Sequence, residues 1–262
     1  MEDHEFVQIR ASSLAVGRRI MGGLALLAVC AGSAMAKCQD APGPGADWSG
    51  CSKARLVLTG EDLTGTIFQR SLLTLSDFAS SKMAGANLSE TEVSRTRFEG
   101  ADLSRADFTK ALGWRANFGQ ANLTGTAFVS ADMSRSNFAQ AKAAGANFNK
   151  AELNRSDFSG ADLTGANLAK AELARVLFQS AKLTGVDFSY SNLSRARLNG
   201  LDLQGANFSG TYMFLAQIGG SDLSRAVGLT QAQIDIACGT AQTKLPDGLS
   251  LPKSWPCKEE ED

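Results

Sequence analysis

The chain has 262 residues and a formal net charge of −1, so neither its length nor its charge names a partner. A nearly neutral chain has no strong field for nucleic acid or for an anionic membrane surface. Its single histidine lies at position 4, inside a predicted export signal, which leaves the mature chain without a histidine for catalysis or metal binding. We therefore expect no enzymatic activity, no cofactor and no metal site.

Residues 1–36 have the organisation of a secretory signal sequence. Arg18-Arg19 precede an apolar stretch of thirteen residues, which is followed by an A-x-A motif ending at Ala36. This stretch is too short to cross a bilayer, which takes about 20 residues. We expect export to the periplasm or secretion, with cleavage after Ala36. Sec and twin-arginine export both remain open.

Outside this signal the cysteines form two local pairs, one near each end of the mature chain: Cys38, Cys51, Cys238 and Cys257. An even number of cysteines suits an oxidising compartment, and local disulfides Cys38–Cys51 and Cys238–Cys257 are favoured over long-range pairings. Metal binding is the alternative, although neither pair has C-x-x-C spacing. The pairs lie in segments 37–57 and 229–262, which we expect to cover the two ends of the region between them.

Residues 58–228 repeat with a period of five and no insertion. From Leu58 to Leu223 the period gives 34 central positions, of which 32 hold Leu, Phe, Met, Val or Ile; Gly113 and Ala143 are the exceptions. Most units carry a small residue two positions before the centre. On a helix each step would rotate the centre by about 140°, and on a flat strand an odd step reverses its face. An extended chain that turns once per unit buries the small residue and the centre together.

A second period, of twenty residues, gives the number of units per coil. Phenylalanine occupies centres in only two of the four rows that this period defines, and those rows are two units apart. One outward position shows the same spacing with arginine: Arg95, Arg115, Arg135, Arg155, Arg175 and Arg195. We therefore predict four units per coil and a dry core, with a length of roughly 40 Å at a strand spacing of ~4.8 Å.

The units resemble those of the pentapeptide-repeat family. Residues 101–105, 121–125 and 161–165 read A-(D/N)-L-x-x, and the resemblance covers about two thirds of the chain. It implies an all-β fold, the right-handed quadrilateral β-helix of that family. At the 34 units counted here, the solenoid has about 8.5 coils.

The two end segments complete the predicted architecture. In the C-terminal segment, Thr230 can cap a short helix over residues 231–238. The tail, residues 259–262, is acidic and expected to be disordered. Apolar residues at outward positions near the ends of the repeat indicate where the end segments fold back: Leu72, Leu75, Tyr212, Phe214 and Leu215.

The candidate binding residues lie on one wall of the solenoid: Trp114, Arg115, Arg95 and Arg135. Gly113 interrupts the column of large centres, and Leu112 replaces the usual polar residue before it. An exposed aromatic beside guanidinium groups suits a sugar, an aromatic group or a partner protein. The other interpretation is that Trp114 repairs the packing around Gly113.

The arginines themselves have a simpler interpretation. Four of the six have an acidic residue three positions earlier: Glu92, Asp132, Glu152 and Glu172. This spacing predicts a ladder of local ion pairs on the surface, each worth about 0–1 kcal/mol.

We expect an exported structural or interaction scaffold that presents a rigid surface to a protein or envelope component, with oligomer formation possible. Small-ligand or glycan binding at the Trp114 wall is the alternative. The family resemblance also suggests a DNA-mimicking topoisomerase inhibitor, like the quinolone-resistance members. That role needs an acidic surface, whereas residues 58–228 hold 17 Lys or Arg and 16 Asp or Glu. No nucleic-acid partner and no stable membrane span after cleavage are expected.

Overall fold

The computed structural model describes residues 37–257. The predicted signal sequence, residues 1–36, and the acidic tail, residues 259–262, lie outside the described residues. Within them, no helix has the length and apolar character needed to cross a membrane. Most of the described chain is a stack of coils made of five-residue units, so the repeat seen in the sequence is the unit of structure.

Nearly all units form a parallel bridge with the unit that follows one coil later. The bridges run from Asp47↔Ile67 to Asn207↔Val227 at a constant offset of twenty residues. Backbone hydrogen bonds keep the same register; the amide of Phe118, for example, donates to the carbonyl of Asn137 at 2.7 Å. A coil therefore contains four units, as the twenty-residue period predicted.

The turn between units depends on the residue two positions after each centre, which takes a left-handed backbone conformation. Glycine often occupies this position, as at Gly125 with φ +66°, and Arg115 adopts the same conformation with φ +58°. The Asp or Asn before the centre stabilises the turn, because its carbonyl or carboxylate oxygen accepts an amide two residues later. Asn117 Oδ1 accepts the amide of Gly119 at 3.0 Å in this way. The recurring acidic residues thus follow from turn geometry.

The core consists of stacked phenylalanine rings from two opposite walls. Along one row, Phe118 and Phe138 stack with centroids 4.9 Å apart and an interplanar angle of 4°. Across the core, Phe118 meets Phe128 edge to face at 5.5 Å. Both arrangements are the geometries that aromatic pairs prefer. The predicted positions of the phenylalanine rows on opposite walls are confirmed.

Buried hydroxyl groups at the small inward position also bind between coils. The hydroxyl of Ser156 donates to the carbonyl of Met133 at 2.9 Å, and Thr126 makes the equivalent bond to Leu103 at 2.8 Å. In the described part of the chain, the buried hydroxyls of Ser71 and Ser191 have no such partner. The same position is thus satisfied in some coils and unsatisfied in others.

At the N-terminal end the first coil lies inside segment 37–57. Asp47 already pairs with the next coil, so part of segment 37–57 belongs to the first coil. Trp48 occupies a central position, is only 2% exposed and meets Phe68 edge to face. The five-residue pattern does not extend to this coil, because Trp48 and its neighbours do not follow the composition of later units. The expected disulfide Cys38–Cys51 fastens this segment.

At the C-terminal end, helix α1 spans Gln231–Ile236 and ends two residues before the predicted boundary. Thr230 and Gln233 form a capping box at its start. The side-chain amide of Gln233 also donates to the carbonyls of Phe208 and Thr211, both at 2.8 Å. Helix α1 is therefore fixed against carbonyl groups of the last coils.

The chain after α1 continues the pairing of the solenoid. The amides of Ile218 and Leu223 donate to the carbonyls of Cys238 and Lys244, both at 2.8 Å. The expected disulfide Cys238–Cys257 brings the following residues back, and the indole of Trp255 donates to the carbonyl of Ala237 at 2.7 Å. This segment therefore binds backbone groups that an open coil edge would leave unpaired.

The prediction that the end segments cover the outward apolar residues was wrong for four of the five. Their exposed fractions are 37% for Leu72, 46% for Leu75, 52% for Tyr212 and 40% for Phe214, whereas Leu215 is half-buried. The end segments pair with the edges of the outermost coils instead of lying over the sides. Apolar side chains on the side of the solenoid consequently stay accessible.

Candidate functional site

The candidate site lies on one wall of the solenoid, which we call the arginine wall. The centres of its units occur every twenty residues from Leu73 to Met213. Two outward rows run along it. The acidic row precedes the centres by one position and consists of Leu72, Glu92, Leu112, Asp132, Glu152, Glu172, Asn192 and Tyr212. The arginine row follows the centres by two positions and consists of Leu75, Arg95, Arg115, Arg135, Arg155, Arg175, Arg195 and Leu215. The acidic row lies at the bridge positions of the wall, and the arginine row lies in the turns that end its units.

Trp114 lies between the guanidinium groups of two successive coils. The Cζ atom of Arg115 is 4.3 Å from the centroid of the indole ring, and that of Arg95 is 5.3 Å away. Trp114 is half-buried, and Leu112 beside it is 53% exposed. These cation–π contacts orient two guanidinium groups whose N–H groups can still donate to a carboxylate.

Gly113 does not explain the position of Trp114. A Cβ atom placed on Gly113 would collide with Sδ of Met133 and would lie 3.1 Å from Cγ2 of Val93. Side chains from the two adjacent coils therefore fill the space that the missing side chain leaves. Trp114 lies outside this packing, which favours the binding interpretation over the packing repair.

The structure brings three of the four candidate residues into contact. Arg95 and Arg115 contact Trp114, whereas the structure gives no contact between Arg135 and the ring in the described chain. Arg135 lies one coil further along the arginine row, with φ +60° at its turn. It extends the positive surface and is not part of the aromatic contact.

Three of the four ion pairs of the predicted ladder are not formed. Between residues 37 and 257, no ion pair joins Glu92 to Arg95, Asp132 to Arg135 or Glu152 to Arg155. The ion pairs join mainly residues of the same row in adjacent coils, such as Arg70 with Glu90 at 3.0 Å. The hydrogen bond from Arg70 also lowers the pKa of Glu90. Residues of one row in neighbouring coils are separated by about 4.8 Å of strand spacing, and this favours pairing along a row.

A groove at the C-terminal end of the arginine row was not apparent from the sequence. Its lining includes Arg155, Arg175, Arg195, Arg197, Pro256 and Cys257. Arg197 belongs to the next wall, and the last two residues come from the end segment. Only the coil geometry and the Cys238–Cys257 disulfide bring these groups together, so no local sequence signal could have identified the groove.

Comparisons with known proteins agree with this architecture. The family model described as pentapeptide repeats (8 copies) matches residues 58–95, 81–112, 101–138 and 191–227, and the model described as pentapeptide repeat region matches 131–208. No curated protein matches the chain.

Solved structures of three repeat proteins are similar to this chain. One is a trypsin-treated form of QnrB1, a plasmid-mediated fluoroquinolone resistance protein, with 23% identity and a TM-score of 0.56 over 73% of this chain and 92% of that one. A second is HetL from Nostoc sp. strain PCC 7120, involved in heterocyst differentiation regulation, with 26% identity and a TM-score of 0.30 over 79% and 91%. A third comes from the Arabidopsis thaliana thylakoid lumen, with 30% identity and a TM-score of 0.19 over 45% and 77%.

Proposed function

Because this chain belongs to the pentapeptide-repeat family, we propose that it is an exported, non-enzymatic scaffold that binds a protein partner through the arginine wall. The proposal includes the right-handed quadrilateral form of the β-helix, with the segments at both ends acting as caps. The twenty-residue coil and the backbone pairing at both ends support this form. A rigid solenoid suits a binding role because its walls hold side chains at fixed spacings.

The observation that carries the proposal is the contact of Trp114 with Arg95 and Arg115. Aromatic and arginine side chains are enriched among residues that dominate binding energy at protein interfaces. Here the ring fixes two guanidinium groups before a partner arrives, which lowers the entropic cost of binding a carboxylate. The exposed Leu112 adds an apolar contact beside them.

Export is supported by the two disulfides, which are typical of proteins in oxidising compartments. We propose that residues 1–36 are removed. Mass spectrometry of the protein from producing cells should find Lys37 at the N-terminus. An intact Met1 on a cytoplasmic protein would contradict the proposed location.

The binding role is tested with the double variant Trp114→Ala, Arg115→Ala. Immobilised wild-type and variant proteins are incubated with an envelope extract, and captured proteins are quantified by mass spectrometry. Loss of such an anchor costs about 2 kcal/mol or more, or roughly thirtyfold in affinity. The melting temperature should hardly change.

Arg105→Ala is the matched control, because Arg105 has the same turn conformation, with φ +57°, on a different wall. It should capture partners like the wild type. If the double variant captures normally, or unfolds at a lower temperature, the binding role is refuted. Glycan binding stays a prediction, and capture that survives protease treatment of the extract would favour it.

The similarity to QnrB1 supports the fold alone at this identity, and the nearly neutral repeat region offers no basis for DNA mimicry.

A further inference from the structure

The groove at the C-terminal end of the arginine row is a second candidate site, separate from the Trp114 contact. We propose that this groove, which we call the C-terminal groove, binds acidic peptide segments and that residues 258–262 of the same chain occupy it. The inference does not depend on the Trp114 contact of the proposed function. It assigns a ligand to arginines further along the solenoid.

The C-terminal groove is concave and strongly positive. Its volume is about 910 Å³, a size typical of ligand sites. Among the described residues, no acidic side chain lines it, whereas four arginines do: Arg155, Arg175, Arg195 and Arg197. A concave surface with charges of one sign concentrates the opposite charge, and a guanidinium binds a carboxylate through two N–H groups at once. The groove therefore suits a segment with several carboxylates.

The arginines are able to bind carboxylates without being free of other contacts. Arg175, Arg195 and Arg197 have interactions of their own. A guanidinium has five N–H donors, and a bidentate carboxylate uses two of them. Each arginine therefore has donors for more than one acceptor.

Segment 258–262 has the complementary charge and begins in the groove. It reads Lys-Glu-Glu-Glu-Asp, so four of its five residues are acidic. The residue before it, Cys257, lines the groove, and the disulfide to Cys238 fixes it there with Cα atoms 5.4 Å apart. A short tether of this kind gives the segment a high effective concentration at the groove.

Five residues are long enough to reach three of the four arginines. Cys238 pairs with Gln217, and Gln217 pairs with Arg197, so Arg197 lies two coils from Cys238. Two coils measure about 10 Å and three about 14 Å at a spacing of ~4.8 Å. An extended chain of five residues spans about 17 Å. It can therefore pass the level of Arg195 and Arg197 and reach that of Arg175.

The composition of residues 259–262 alone favours disorder, because the segment has no apolar side chain to bury. The C-terminal groove supplies another source of order. Carboxylates bound by guanidinium groups need no apolar burial, and such contacts between exposed charges weaken as salt is raised. Order in the segment should therefore depend on the groove arginines and on ionic strength.

The first test compares the mature protein with a groove variant that carries Arg175→Gln and Arg197→Gln. Glutamine is compatible with both positions. Gln140 has the left-handed turn conformation of Arg175, with φ +59°, and Gln217 occupies the bridge position one coil after Arg197.

The matched control carries Arg105→Gln and Lys142→Gln. Arg105 lies in a turn, with φ +57°, and Lys142 lies at a bridge position, both on the wall opposite the arginine wall. The control therefore removes the same charge from the same two kinds of position at a distance from the groove.

NMR relaxation at low salt gives the order parameters of the amides of residues 259–261. In the wild type and the control they should lie closer to the ~0.85 of rigid backbone than to the values below about 0.6 of a flexible segment. In the groove variant they should fall below about 0.6, and high salt should have the same effect on the wild type.

The second test leaves the solenoid unchanged. A neutral-tail variant carries Glu259→Gln, Glu260→Gln, Glu261→Gln and Asp262→Asn. A synthetic peptide with the sequence of residues 258–262 is titrated into this variant and into the wild type, and the amide shifts of Gly219 and Thr240, which line the groove, are followed. The peptide should bind the neutral-tail variant about tenfold more tightly, because the tethered segment competes for the wild-type groove.

Three results would overturn the inference: a wild-type segment as flexible as that of the groove variant, a control that releases the segment equally, or equal peptide affinity for the wild type and the neutral-tail variant. Circular dichroism and melting temperature show whether the groove variant folds, and the peptide test does not need it. Neither test involves capture through Trp114, so the failure of this inference and the failure of the proposed function are distinguishable.

Discussion

Met133 occupies the space that a side chain at Gly113 would need. A Cβ atom on Gly113 would also lie 2.9 Å from Cε of Met133, closer than two carbon atoms normally approach. We predict that Gly113→Leu, although it restores the apolar centre of the repeat, lowers the free energy of unfolding by about 1–3 kcal/mol through overpacking. Chemical denaturation measures this change.

The compensating variant Met133→Ala tests the cause. On its own it should destabilise the protein by leaving a cavity, whereas combined with Gly113→Leu it should recover part of the loss. Strictly additive effects of the two substitutions would show that Met133 and residue 113 do not share this space.

Ser191 and Ser156 occupy the same inward position in different coils but differ in hydrogen bonding. Ser156 donates to the carbonyl of Met133, whereas the hydroxyl of Ser191 is buried without a partner in residues 37–257. Ser191→Ala should leave stability unchanged or raise it, because it removes an unsatisfied polar group. Ser156→Ala should lower it by about 1 kcal/mol. Thermal melts of the two variants provide the comparison, and a larger loss at Ser191 would contradict it.

Reduction of Cys238–Cys257 should loosen the last coils before the rest of the solenoid unfolds. A native disulfide in a small secreted domain is worth about 2–5 kcal/mol, and this one retains the segment that pairs with the last coil. Hydrogen exchange should become faster at the amides of Ile218 and Leu223, which donate to that segment. The amide of Phe128, in the middle of the solenoid, is the internal control. Equal acceleration at all three amides would show global unfolding instead.

Asp222 makes the pairing of the C-terminal segment with the last coil dependent on pH. Hydrogen bonds from Ser224 and Lys244 lower the pKa of Asp222 from 3.8 to about 2. Since the folded state favours the ionised carboxylate, its contribution is present above about pH 4 and is lost as the pH falls toward 2. Lys244 lies 2.9 Å from Asp222, so acid should release the pairing at Lys244.

The pH effect can be followed by NMR titration of the carboxyl group and by hydrogen exchange at Leu223. Asp222→Asn keeps an acceptor for the turn but removes the charge. In this variant, hydrogen exchange at Leu223 should therefore no longer become faster as the pH falls. The effect is small, because both side chains are partly exposed and salt screens the pair. A titration of Asp222 at the ordinary pKa would contradict the coupling.

Much of the fold could be read from the sequence because each unit is a local structure. The five-residue period determines which side chains are buried, and the twenty-residue period determines how units stack. Phe118 and Phe128 could therefore be placed on opposite walls without coordinates. The local cysteine spacing likewise favoured Cys38–Cys51, since the alternatives required pairing across the whole solenoid.

The candidate site was only partly predictable. Trp114, Arg95 and Arg115 could be placed together because coil spacing brings residues twenty apart into contact. The ion pairs predicted between Asp132 and Arg135 and between Glu152 and Arg155 do not form, since sequence spacing does not show that the acid lies at a bridge position and the arginine in the following turn.

The sequence by itself determined the period, the number of units in a coil, the phenylalanine columns and the local disulfides, because these depend on neighbours in the chain or on exact repetition. Tertiary structure decided which space is already filled and which surface stays open. Met133 reaches Gly113 from the next coil, and the C-terminal segment pairs with a coil edge while Tyr212 stays exposed. Both outcomes depend on the paths of side chains and irregular segments in three dimensions, which repetition does not specify.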